Sequence, residues 1–216
     1  RRRHRHLMDE FFAYVRSQFG KLSQPQVDGF NVLLAETRGL DIMSRAYILA
    51  TAWHETARTM QPIAEYGKGK GKAYGKADGT GKAPYGRGYV QLTWRQNYVN
   101  ADAKLGLGGV LADNYDKALD PQIAAKIIVR GMLEGWFTGK KLSDYTNYVS
   151  MRRIVNGTDR ADDIASHAVK FEAALRLIKS APVVAPKPEK PATAQITPPA
   201  APSLWRRVLA YFKSPA

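Results

Sequence analysis

Glu55 and Glu65 stand ten residues apart in contrasting surroundings. Glu55 lies near the end of an apolar run, beside Trp53 and just before a glycine-rich stretch. Partial desolvation and the negative end of a helix would both disfavour its ionised form there, which suits a proton donor near neutral pH. Glu65 sits at the root of the glycine-rich stretch, where solvent and five lysines favour ionisation. One protonated and one ionised carboxyl is the pairing that glycoside hydrolysis uses. Taken by themselves, the same residues also read as two solvated glutamates flanking a helix end.

The composition removes most other chemistries. Without cysteine there is no thiol nucleophile, no disulfide scaffold and no thiolate zinc site. Of the four histidines, His4 and His6 lie in a basic N-terminal arm. His54-Glu55 begins like a zincin motif, but Arg58 occupies the place of the second histidine, so that helix cannot supply the ligand pair. His167 falls within a helical pattern and receives no role. No metal and no cofactor are expected.

The elements that position the glutamates read as mostly helical. Short amphipathic helices are expected over 9–19 and 25–37, the second opened by Ser23 and Pro25. Asp41 caps a longer helix to about Met60, with Ile42, Ala46, Leu49, Trp53, Ala57 and Met60 at helical spacing. From Gln61 to Gly88 eight glycines break the pattern, and loops this long inside a domain are usually functional or disordered. Tyr89 to Trp94 has the β-branched and aromatic content of a short strand. Asp120-Pro121 starts a helix to about Leu133. A last helix covers roughly 159–178, with Ile164, Ala168, Phe171, Leu175 and Ile178 on one face.

A chain of 216 residues with 44% apolar and 24% charged side chains fits one globular domain with added segments, and excludes a disordered chain. Its net charge of +14 is concentrated: Arg1, Arg2, Arg3 and Arg5 carry +4, residues 66–88 carry +5 and residues 181–216 carry +4. A nucleic-acid domain spreads its basic residues over a folded face, so an anionic cell envelope ranks above DNA as partner. Residues 1–7 read as a vector or upstream arm before Met8, 8–180 as the domain, 181–203 as a Pro/Ala-rich linker and 204–216 as a short basic amphipathic tail. In the tail Leu204, Trp205, Val208, Leu209 and Phe212 share one arc opposite Arg206, Arg207 and Lys213. Residues 204–213 are therefore expected to contact an anionic membrane or lipopolysaccharide, the alternatives being packing on the domain or disorder. No apolar stretch approaches the roughly 20 residues of a spanning helix, and no apolar export core follows Arg1 to His6.

Three stretches in order, Ala52-Trp53-His54-Glu55-Thr56, Tyr85-Gly86-Arg87-Gly88-Tyr89-Val90-Gln91-Leu92-Thr93 and Ile154-Val155-Asn156-Gly157, resemble the family 19 glycoside hydrolases. These are chitinase-like enzymes of the lysozyme superfamily and include phage and prophage endolysins. The resemblance covers about residues 45–175. It implies a mainly α, lysozyme-like fold of the α+β type, two-lobed, with a small β element and a substrate cleft. It also implies an inverting mechanism, in which Glu55, matching the glutamate of His-Glu-Thr, protonates the glycosidic oxygen. Glu65 would take a proton from a water attacking the opposite face, the two carboxyls being roughly 6.5–9.5 Å apart. Thr93 matches a hydroxyl that holds this water, and Gln91 and Asn156 match amides lining the sugar cleft. Unlike the plant chitinases, the chain has no disulfides and a shorter interval between the glutamates. Glu65 is therefore assigned by its spacing to Tyr-Gly-Arg-Gly, and without it a single-carboxylate lytic transglycosylase becomes the alternative.

Each role has a plainer counterpart. Thr93 also reads as satisfying strand propensity, Gln91 as bonding to backbone and Asn156-Gly157 as a turn. Arg87 either orients a carboxylate or is a solvated loop arginine. Tyr85, Tyr89, Trp94 and Tyr98 stack on sugar rings or pack in the core. The expectation is an endo-acting, monomeric glycosidase that cuts β-1,4 bonds of bacterial peptidoglycan, with chitin as the second substrate. A wall-binding or virion structural protein is the non-catalytic alternative. The expected location is the host-cell cytoplasm before release to the wall or periplasm, or the virion, and nucleic acid is not expected as a partner.

Overall fold

The computed structural model describes residues 2–179, so the linker and tail expected over 181–203 and 204–216 lie outside the described residues. Three helices come first, α1 (Arg2–Phe19), α2 (Gln24–Glu36) and α3 (Ile42–Glu55). Two short strands follow, β1 (Ile63–Ala64) and β2 (Arg87–Gly88). Then come α4 (Arg95–Leu105), α5 (Val110–Asp113), α6 (Pro121–Glu134), α7 (Tyr148–Met151) and α8 (Ala161–Lys179). No described helix is long and apolar enough to cross a membrane.

The helix starts follow their capping chemistry. Ser23 caps α2 in a reciprocal box with Gln26, whose Oε1 accepts from the Ser23 backbone N–H at 2.8 Å. Asp41 accepts from the Ser44 N–H at 2.9 Å to open α3, and Asp120 accepts from the Gln122 and Ile123 N–H groups to open α6.

α3 is the centre of the larger core. Residues from Ala46 to Trp53 are all buried, which is the signature of a helix enclosed on every side rather than one with a single apolar stripe. α8 packs along it with Ile164, Ala168, Phe171 and Leu175 buried, on the face the sequence periodicity marks out. Phe19 lies 4.9 Å from the rings of both Trp53 and Phe171, so α1, α3 and α8 meet in one aromatic cluster. A second, smaller cluster gathers Leu92, Tyr98, Leu111, Tyr115 and Ile127 around α4 and α6. Val90 and Phe137 pack against both clusters, giving the two-lobed helical plan with a small antiparallel sheet.

Two expectations are corrected. α3 stops at Glu55, not near Met60: Ala57, Arg58 and Met60 take φ of +48°, +69° and +55°, which no right-handed helix allows. The Thr56 hydroxyl drives that turn, donating to the Ala52 carbonyl at 2.7 Å and accepting from the Met60 N–H at 3.1 Å. Tyr89 to Trp94 does not form a strand, because Gln91 and Trp94 have φ of +53° and +69° and the backbone turns on itself between Arg87 and Leu92. α4, absent from the sequence reading, buries only Tyr98, Ala101 and Asp102, too few for a clear apolar stripe.

Candidate active site

Glu55 is the last residue of α3, and its carboxylate is 20% exposed. Its Oε1 accepts from Arg152 Nη1 at 2.6 Å. The Arg152 guanidinium is 3% exposed and also donates from Nε to the Asp159 carbonyl at 2.8 Å. The apolar setting expected for Glu55 is thus corrected: a buried cation stands against it, delivered by the turn of 3-10 helix over Arg152–Ile154 after α7.

Glu65 follows β1, which pairs with β2 through Ile63 opposite Gly88 and Ala64 opposite Arg87. Its backbone N–H extends the ladder to the Gly86 carbonyl at 2.7 Å. The side chain is held at both oxygens, Oε1 accepting from the Tyr74 hydroxyl and Oε2 from the Gly86 N–H, each at 3.1 Å. Burial and the Glu65 carboxylate both push the Tyr74 hydroxyl above its ordinary pKa, so it stays a donor. The Tyr74 ring stands edge-on to Trp94 at 5.4 Å. A Cβ on Gly86 would come within 2.9 Å of Gln91 Oε1 and 3.3 Å of Glu65 Cβ, so a glycine there is what lets these two side chains close on the turn.

Among the described residues no ion pair joins Glu65 to the lysines that follow it. Lys68, Lys70, Lys72 and Lys76 are exposed, and Lys82 donates to Asn114 Oδ1 at 2.8 Å. The loop is pinned instead by Asp78, which accepts from the Thr80 N–H at 2.8 Å, the Thr80 hydroxyl at 2.7 Å and the Tyr115 hydroxyl. Burial works to raise the Asp78 carboxyl, but these bonds and nearby Arg95 outweigh it and hold the group at about 2.

The other residues singled out by sequence divide into two groups. Gln91 donates from Nε2 to the Ile63 and Gly88 carbonyls at 3.1 and 3.3 Å, which ties β1 to β2 beside Glu65. Thr93 is half-buried, and its carbonyl accepts from Asn97 Nδ2 at 2.8 Å. Asn156 is exposed. In contrast, Arg87, Tyr89 and Tyr98 are buried. Arg87 pairs with Asp116 at 2.8 Å and donates to the Ala83 and Tyr85 carbonyls, so it braces the loop rather than facing a ligand. Tyr89 donates to the Met60 carbonyl, and burial pushes its hydroxyl up to about 12. Tyr98 donates to the Tyr85 carbonyl at 2.6 Å. For these three the structural role is the observed one.

A cavity of about 380 Å³ includes Gln91, Thr93 and Val155 in its wall. Gln91 connects it to β1, two residues before Glu65, and Val155 lies three residues beyond Arg152, the partner of Glu55. Arg152 and Tyr74, which fix the two carboxylates, escaped the sequence reading. For Tyr74 a signal existed, an aromatic residue set among glycines and lysines between Glu65 and Tyr85. For Arg152 none did, since its partner lies 97 residues away.

Two partly exposed carboxylates, each fixed by a donor from a different segment, are groups that acid-base chemistry can use, while Thr93 lines a cavity whose wall includes neither Glu55 nor Glu65. No protein-family model matches the sequence, and no curated protein matches it either. Among solved structures, chitinase C from Streptomyces griseus is similar with a TM-score of 0.52 at 20% identity, over 77% of this chain and 75% of that one. A mutant of chitinase C is similar with a TM-score of 0.51 at 19% identity, over 78% of this chain and 92% of that one. At these identities the likeness is one of fold: the described domain has the helical, lysozyme-like fold of these chitinases.

Proposed function

We propose that the chain is an endo-acting glycosidase that hydrolyses β-1,4 bonds of bacterial peptidoglycan by an inverting, two-carboxylate mechanism. The observation that carries the reading is the separate fixing of Glu55 by Arg152 and of Glu65 by Tyr74 and Gly86, on the fold of a chitinase. In this mechanism Glu55, with Oε1 accepting from Arg152 and its proton on Oε2, gives that proton to the leaving glycosidic oxygen. Glu65 removes a proton from the water that attacks the anomeric carbon from the other face, and the Thr93 hydroxyl holds that water. Each carboxylate is oriented before substrate arrives, so little ordering is left for the reaction step.

The charge of the loop favours peptidoglycan. Four exposed lysines, Lys68, Lys70, Lys72 and Lys76, follow Glu65 directly, and a neutral polymer has no group to meet them. Peptidoglycan carries carboxylates on the peptides branching from its glycan. This reading is endolysin-like. Chitin is the second reading, favoured by the similar solved structures, both of chitinase C.

Digestion of purified peptidoglycan and of chitin, with mass analysis and anomer detection, tests both. Peptidoglycan fragments with a reducing end of α configuration are the expected result. Cleavage of chitin alone selects the second reading. An anhydro product overturns the two-carboxylate scheme, and no cleavage of either polymer overturns the enzyme reading.

A further inference from the structure

The 380 Å³ cavity continues past Thr93 into a charged end that the two-carboxylate mechanism does not use. α6 ends at Glu134, where Gly135 takes φ +77° and the Trp136 N–H returns to the Gly131 carbonyl at 2.9 Å. Phe137 then lies on Gly131 so closely that a Cβ there would meet its ring at 2.2 Å. This turn sets Trp136 against α4, where Asn97, Asn100 and Lys104 complete the wall.

The electrostatics of this end are specific. Glu134 is already engaged: Arg130 donates to its Oε1 from Nε at 2.7 Å and approaches it from Nη2 at 2.6 Å, and Trp136 Nε1 donates to its Oε2 at 2.8 Å. The Trp136 and Arg130 bonds, acting against a smaller effect of burial, hold the Glu134 carboxyl below its ordinary range. Lys104 Nζ reaches Glu134 only at 4.0 Å and remains half-exposed at the cavity wall. Both Lys104 and Arg130 lie over the Trp136 ring, 5.1 and 5.7 Å from its centre, so this indole presents cations rather than a bare face for sugar stacking. Asn97 gives its Nδ2 to the Thr93 carbonyl and Asn100 Oδ1 accepts from Gln96 Nε2, so Asn97 Oδ1, Asn100 Nδ2 and the incompletely paired Lys104 ammonium are the groups that suit a ligand with backbone amides and a free carboxylate.

We infer that the Lys104–Trp136 end of the cavity binds the acidic peptide that branches from the glycan, and so selects stem-bearing strands over bare ones. The inference rests on the peptidoglycan reading above. Thr93, which the mechanism above assigns to the attacking water, lines the same cavity as Lys104 and Trp136, and this shared wall is what links the two ends. The size is that of a small-ligand site.

The test compares kcat/KM on three substrates: peptidoglycan, the same glycan after an amidase has removed its peptides, and a GlcNAc oligomer. The parent protein is expected to prefer stem-bearing over stripped glycan by about tenfold or more, the effect of one charge-assisted bond. Lys104→Glu, at a half-exposed position, is expected to bring that ratio to about one or below. The inference is overturned if the parent shows no preference, if Lys104→Glu keeps the parent ratio, or if it lowers all three activities alike, which marks a sugar subsite. A parent that cuts the GlcNAc oligomer but neither glycan overturns the peptidoglycan reading itself.

Discussion

Arg152 reaches Glu55 across 97 residues of sequence, and the cation of the pair is far more buried than the anion, at 3% against 20% exposure. The arrangement fixes the direction of the carboxylate from behind while leaving part of it open to a ligand. It also makes the turn after α7 part of the site, since Arg152 is itself anchored on the Asp159 carbonyl. A buried guanidinium that loses its partner is costly, so the end of α3 and this turn are held together by the same contact that orients the acid.

Glu55→Gln separates the two roles. The amide keeps an oxygen for Arg152 but removes the charge that offsets its buried guanidinium, so stability should fall by about 3 kcal/mol while the fold persists. Activity should fall by roughly 100- to 10,000-fold, the usual contribution of a general acid. Release of reducing ends together with a thermal melt checks this. Activity within tenfold of the parent would remove Glu55 from the reaction.

Tyr74→Phe tests the hold on Glu65. The substitution keeps the ring that meets Trp94 and removes only the bond to Oε1, leaving the Gly86 N–H in place. Loss of one such bond is worth about 1 kcal/mol, or roughly a fivefold to tenfold drop in rate. We expect that drop in kcat with little change in KM, because Tyr74 positions the base. A change confined to KM would mean that Tyr74 contacts substrate instead.

The residues of the site were legible where the signal was local and illegible where it was not. The caps at Ser23, Asp41 and Asp120 and the apolar face of α8 follow from sequence because neighbours within one or two turns decide them. The premature end of α3 was hidden because Ala57 and Met60 continue the helical spacing of apolar residues. Only the Thr56 hydroxyl and the positive φ values behind it break the helix. Residues 89–94 have strand composition, yet Arg87 and Leu92 bridge across a tight turn, a case where tertiary context overrides propensity. Both glutamates stood out by their setting, but their partners did not, since Arg152 is far off in sequence and Tyr74 looked like one more loop residue. Arg87, Tyr89 and Tyr98 show the reverse error: types suited to sugar contact are used here to close the core.

The Asp78 clamp gives the loop an acid limit. Its carboxyl sits at about 2 in the folded protein, below the ordinary value of 3.8, because the bonds from Thr80 and Tyr115 prefer the ionised form. A depressed value means that the stabilisation is complete above about pH 4 and fades as pH falls toward 2. Hydrogen exchange of residues 76–82 should therefore accelerate between pH 4 and pH 2. In Asp78→Asn it should already be fast at neutral pH. Equal protection in parent and variant would show that the loop is held by other contacts.

The lysines after Glu65 act, on our reading, by charge rather than by contact, and salt separates the two. Reversing Lys68, Lys70 and Lys72 to glutamate changes the local charge by six while leaving the bonds of Glu65 and Asp78 intact. We expect kcat/KM on peptidoglycan to fall by about tenfold at low ionic strength, through slower capture of an anionic polymer. The deficit should shrink as salt approaches 1 M, where the screening length is about 3 Å. On an uncharged GlcNAc oligomer no salt-dependent deficit should arise. A deficit of equal size on both substrates and at every ionic strength would show that the substitutions distort the loop, and the charge argument for peptidoglycan over chitin would go with it.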